Sequence, residues 1–115
     1  MPTIEVKTNV KVNKIEAFLK AITEASTTIL SKPKEYIQVI LNDEVPMIFA
    51  GTTDPTYMVR IHSRGGFSDS SNNQRMSKEF ADVFKDLLGV ESTRGYFYFK
   101  DPGEHKCGWN NTTFP

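Results

Sequence analysis

The stretch KIEAFLKAITEASTTILSKP, Lys14 to Pro33, decides how the chain is read. Ile15, Phe18, Leu19, Ile22, Ala25 and Ile29 recur at three- and four-residue steps, with Lys14, Glu16, Lys20 and Glu24 between them. That spacing gathers the apolar residues on one side of a helix of about five turns, running roughly from Lys14 to Leu30. Pro33, just beyond it, helps to stop it.

Working outward, Thr3-Ile4-Glu5-Val6-Lys7 alternates as a half-buried strand should. On the other side Tyr36-Ile37-Gln38-Val39-Ile40-Leu41 is nearly all apolar and reads as a central strand buried on both faces. Strand, long helix, strand favours a parallel right-handed crossover. Asn42-Asp43-Glu44 then reads as a turn into Val45-Pro46-Met47-Ile48-Phe49, a short edge strand on account of its proline. Residues 50–55 read as loop.

The pattern then repeats. Tyr57 to Ser63 is strand-like and ends at Gly65-Gly66, a turn. A polar run, Ser68 to Gln74, leads into a second helical pattern of Met76, Phe80, Val83, Phe84, Leu87 and Leu88, which Gly89 terminates. Tyr96-Phe97-Tyr98-Phe99 follows as an aromatic, β-prone strand. The helix exits correspond, Leu30-Ser31-Lys32-Pro33 in one half and Leu88-Gly89-Val90-Glu91 in the other. The expected fold is α+β, two βαβ repeats forming one four-stranded mixed sheet with both helices on one face, as a single domain over residues 1–115. The other face is expected to be too apolar to meet water, which points to association with copies of the chain; the alternative is a carboxy-terminal segment folded back as a lid.

The totals exclude some classes of function. Fourteen basic residues balance 14 acidic ones, so nothing points to nucleic acid or to an anionic membrane. Cys107 is the only cysteine, which rules out an intramolecular disulfide and a cysteine-only zinc site within one chain. No metal and no cofactor is expected. The sequence shows neither a secretory signal nor a membrane-length apolar window, so the default compartment is the cytosol. The overlapping sequons at Asn110 and Asn111 are then chance matches.

Candidate chemistry begins at Pro2. Removal of Met1 before a small residue would leave a free secondary amine, both base and nucleophile. A terminal amine titrates near pH 7.7–8.0, and an apolar pocket beside other cations lowers that value, leaving the amine neutral and able to take a proton. Lys32, at the first helix exit and held extended by Pro33, is a cation suited to an anionic group. Trp109 and Phe114 place large aromatics in a polar, turn-rich tail that would fray alone, and they are expected to dock on another surface. Cys107 reads as a packing thiol, and His62, at a strand end, as a structural histidine.

Four segments in register resemble the macrophage migration inhibitory factor family of the tautomerase superfamily. They are Met1-Pro2 with Lys7-Thr8-Asn9-Val10, Ser31 to Tyr36, Pro46 to Pro55, and Gly108-Trp109-Asn110-Asn111-Thr112-Thr113-Phe114. The resemblance spans essentially the whole chain. It implies a homotrimer whose three sheets surround a channel, with one active site at each subunit boundary. It also implies keto–enol tautomerase activity on phenylpyruvate-like and dopachrome-like substrates. By that resemblance Pro2 is the catalytic base and Lys32 binds the substrate's anionic end. Tyr96 is the aromatic contributed by the neighbouring subunit, and Trp109 and Phe114 are the apolar wall and rim.

Three features depart from the family. Its usual isoleucine after His-Ser is here Arg64, a second cation at the mouth that should favour anionic substrates. Its asparagine at the substrate's far end is here Tyr98, so an altered substrate preference is expected. The family's Cys-x-x-Cys falls on Thr56-Tyr57-Met58-Val59, which excludes dithiol chemistry there. The leading function is therefore a proline-based tautomerase acting on a small aromatic keto acid. The alternative is a cytokine-like ligand for a cell-surface receptor, exported without a signal peptide, whose pocket is vestigial.

Overall fold

Alternation along β1 (Thr3–Thr8) turns Ile4, Val6 and Thr8 to one side of the sheet, and all three are fully buried. The computed structural model describes residues 2–114, with Glu104 described by its backbone alone. After β1 come α1 (Ile15–Leu30), β2 (Gln38–Asn42), β3 (Tyr57–His62), α2 (Ser70–Leu88) and β4 (Gly95–Lys100), then the small hairpin of β5 (Gly108–Trp109) and β6 (Thr112–Thr113). The main sheet has the order β2-β1-β3-β4. β1 pairs parallel to β2 and β3 parallel to β4, and the two βαβ units join where β1 runs antiparallel to β3.

Both helices cover one face. Phe18, Ile22 and Ile29 of α1 meet Met76, Phe80 and Phe84 of α2 over Ile4, Val6, Tyr57, Val59 and Ile61 of the central strands. Phe84 organises this core: its ring centroid lies 6.3 Å from Phe18, 5.2 Å from Tyr57 and 5.6 Å from Phe97. Burying such a side chain contributes about 1.5–3 kcal/mol. Beneath it Gly95 is obligatory, since a Cβ there would come within 2.4 Å of the Tyr57 ring.

The architecture is the expected one, with five local differences. The Tyr36–Leu41 run is not a central strand: Lys34–Tyr36 forms a 3-10 turn, and β2 begins at Gln38 as an edge strand with alternate residues exposed. A continuous apolar run does not tell which of its sides meets the core. Residues 45–49 form no strand, because Pro46 offers no donor; the Val45 N–H donates to Thr8 O, and Phe49 bridges only Thr52. The polar run is largely helix, entered at Asp69, whose carboxylate accepts from the Ser71 N–H at 3.0 Å.

The open face of the sheet is not the apolar surface expected. Across the central register run Ile40, Glu5, Arg60 and Tyr98, with Glu5 and Arg60 ion-paired at 3.5 Å, and the flanking registers carry Lys7, His62 and Lys100. Finally, the tail does not fray in the single chain: it folds back on Tyr36 through the hairpin described below. No helix among the described residues is long and apolar enough to cross a membrane.

Candidate active site

Pro2 stands immediately ahead of β1, outside its ladder, and is buried. Lacking an N–H costs nothing there, because its contribution is an acceptor: the Gln38 N–H donates to Pro2 O at 3.0 Å. Thr3 is opposite His62, so Pro2 lies one step beyond that pairing, beside the Ser63-Arg64 exit of β3. Met1 lies outside the described residues.

Lys32 reaches the same end of the sheet from α1. Ser31 ends the helix in the left-handed conformation at φ 54°, and the Lys32 N–H donates back to Thr27 O at 3.3 Å. The half-buried lysine then donates from Nζ to the main-chain carbonyl of Arg64, also at 3.3 Å. The guanidinium of Arg64 lies over the Phe114 ring, with Cζ 5.6 Å from its centroid.

The aromatic wall is built by the tail. Asn110 and Asn111 take positive φ values of 51° and 65°, the pairing a tight hairpin turn requires, and this brings β5 back along β6. The Phe114 N–H closes the hairpin on Cys107 O at 3.1 Å. Trp109 and Phe114 stack at 5.8 Å, and both meet Tyr36 edge-on, at 5.3 and 6.3 Å. A cavity of about 350 Å³ opens beside these rings, lined by Thr3, Glu35, Tyr36, Cys107, Trp109 and Phe114. Trp109 remains 51% exposed, so the wall is open to a flat apolar ligand.

One carboxylate joins the two loops at this end. Asp101 accepts from the Gly65 N–H at 2.8 Å and from the Gly103 N–H at 2.9 Å. The Gly103 and Gly65 N–H groups hold its carboxyl below the ordinary range, with smaller help from the charges of Arg64 and Lys32.

Of the expected site residues, then, Pro2, Lys32, Arg64, Trp109 and Phe114 gather at one end of the sheet. Tyr96 and Tyr98 do not join them within the chain. They lie on the open face, in register with Met58 and Arg60, with Tyr96 packed on Phe49 at 5.3 Å. Two residues escaped the sequence reading. Tyr36 reads as part of a strand in the sequence, although Pro33 just upstream marks a turn; Asp101 enters no expectation there, although Asp-Pro-Gly is a turn signature. Among the described residues no three His, Cys, Asp or Glu side chains cluster to hold a metal ion.

The model of the family described as macrophage migration inhibitory factor matches residues 1–115. A macrophage migration inhibitory factor homolog of Trichinella spiralis is 33% identical, over 99% of this chain and 100% of that protein. D-dopachrome decarboxylase of Gallus gallus is 30% identical, over 97% of this chain and 96% of that protein. Among solved structures, the homologue from Prochlorococcus marinus superposes with a TM-score of 0.90 at 31% identity, over 98% of this chain and 99% of that one.

Proposed function

The chain belongs to the macrophage migration inhibitory factor family, and on that premise we propose that it is a keto–enol tautomerase with the nitrogen of Pro2 as general base. The observation that carries the proposal is the placement of a buried proline, outside the sheet ladder, at the same end as a half-buried lysine and an open aromatic wall. Removal of Met1 would turn that nitrogen into a secondary amine. The amine takes the acidic proton beside the carbonyl of a phenylpyruvate-type or dopachrome-type substrate, and the prolinium so formed returns it at the other position. Lys32 holds the substrate carboxylate while negative charge builds on the enolate, where a fixed cation in a partly dry site has its largest effect. Tyr36, Trp109 and Phe114 hold the ring. Arg64, beside them, adds positive charge that favours anionic substrates.

A homotrimer follows on the same reading. Tyr96 and Tyr98 stand away from Pro2 in their own chain, which supports their serving a neighbour's site across a subunit boundary. Light scattering should then give three times the chain mass at micromolar concentration; a monomer mass would count against a shared site. The relatives' names favour a second reading, a secreted ligand engaging a cell-surface receptor, and on that reading catalytic loss at Pro2 leaves signalling intact.

Phenylpyruvate tautomerisation by the native chain and by Pro2→Gly tests the base. A loss of about 10²–10⁴-fold in rate is expected. An inactive native protein, equal activities, or mass spectrometry showing Met1 retained in an active enzyme would each rule it out.

A further inference from the structure

We propose that Asp101 is a positioning residue that holds the anion-binding end of the site and its aromatic wall in fixed relation. This rests on the tautomerase reading for its kinetic consequences but not for its geometry. One relay runs from Asp101 Oδ2 through the Gly65 N–H to the adjoining peptide of Arg64, whose carbonyl receives the Lys32 ammonium. The other runs from Oδ1 through the Gly103 N–H. The carbonyl of Gly103 accepts from the Lys106 N–H at 3.2 Å, and the next residue, Cys107, accepts the Phe114 N–H at 3.1 Å. A single carboxylate therefore links Lys32 at one terminus of the relay to Phe114 at the other.

The backbone at both contacts is specialised. Gly65 and Gly103 have φ values of 71° and 93°, a region costly to side-chain-bearing residues, which turns each N–H toward the carboxylate. Among the described residues the lysine has one of its three N–H groups on Arg64 O, leaving two for a ligand carboxylate. Its aim therefore depends on where that carbonyl is set. Among the described residues the charged groups acting on Asp101 are Arg64 and Lys32, both cations, and they reinforce the ionised carboxylate that the relay needs.

A ligand that touches both ends, an aryl 2-oxo acid, feels the relation between them; one that touches only the anion end feels it less. For Asp101→Ala, KM for phenylpyruvate should rise about tenfold while kcat changes less than about threefold, since misplaced binding groups act on ground and transition states alike. Asp101→Asn, which keeps one accepting oxygen, should recover part of that loss. Equal falls in kcat for Ala and Asn with KM unmoved would overturn the proposal.

Amide NMR of the native chain decides the geometry without turnover. As pH falls below the ordinary carboxyl value of 3.8, the Gly65, Gly103 and Phe114 amides and the Lys32 side chain should shift in one transition. Asp101→Asn should abolish it. If only Gly65 and Gly103 respond, Asp101 is a local turn residue and the relay is wrong. If the shifts move together but the native protein does not turn over phenylpyruvate, it is the tautomerase reading that fails.

Discussion

The two helix exits share a backbone and differ in what they present. α1 ends on Ser31 and α2 on Gly89, both left-handed, at φ 54° and 70°. Pro33 and Glu91 follow in nearly the same extended conformation, and each opens a 3-10 turn, Lys34–Tyr36 or Ser92–Arg94, before the next strand. The residue after the cap is Lys32 in the first repeat and Val90 in the second. Val90 is 1% exposed and completes the core, whereas Lys32 is half-buried and turned to the Arg64 carbonyl. The third turn residue is Tyr36, in the aromatic wall, against Arg94, whose guanidinium donates at 2.8 Å to both Phe49 O and Asp54 O and locks the 49–55 loop. One copy of the unit closes the molecule, and the other opens onto the site.

Exchanging these roles gives the largest effects. Val90→Lys should cost about 3 kcal/mol or more, because a charge is left without a partner in the core, and urea denaturation would register it as a lower midpoint. Lys32→Ala should leave that midpoint close to native while reducing kcat/KM for phenylpyruvate about 100-fold. Comparable destabilisation by both changes would erase the distinction between the exits. Next in size, Gly95→Ala should cost about 1–3 kcal/mol, since the new methyl group would collide with the buried Tyr57 ring; its counterpart, Ile37, already carries a side chain. The smallest effect is at the caps. Ser31→Gly should stabilise by about 0.5–1 kcal/mol and Gly89→Ser should cost as much, both read from thermal unfolding.

The same contrast explains what could be read from the sequence. Both helices are legible because Phe18, Ile22 and Ile29, or Met76, Phe80 and Phe84, repeat at helical spacing, and β1 because Ile4 and Val6 repeat at strand spacing, whereas the run at 45–49 reads as a strand that does not form. The start of α2 is not legible, because Ser70 to Gln74 carry no apolar residue to mark a period and are held by a cap instead. β2 was misplaced to the centre because chain order does not fix strand order once a second repeat inserts β3 beside β1. In the candidate site, Pro2 and Lys32 stand out in the sequence through a terminus and a proline, both local signals. Tyr36 and Asp101 depend on contacts made across about 35–80 residues of chain, which no local pattern announces.

Tyr57, buried against Phe84 and above Gly95, has a consequence at high pH. Burial pushes its phenol above the ordinary value of 10.0. The unfolded chain releases that proton more readily than the folded one, so stability declines once pH climbs past 10.0 toward the raised folded value. In an alkaline titration followed by tyrosinate absorbance, the Tyr57 chromophore of the ordered molecule should appear late, above the ordinary value of 10.0. The late fraction gives a direct optical gauge of how long the core outlasts the base.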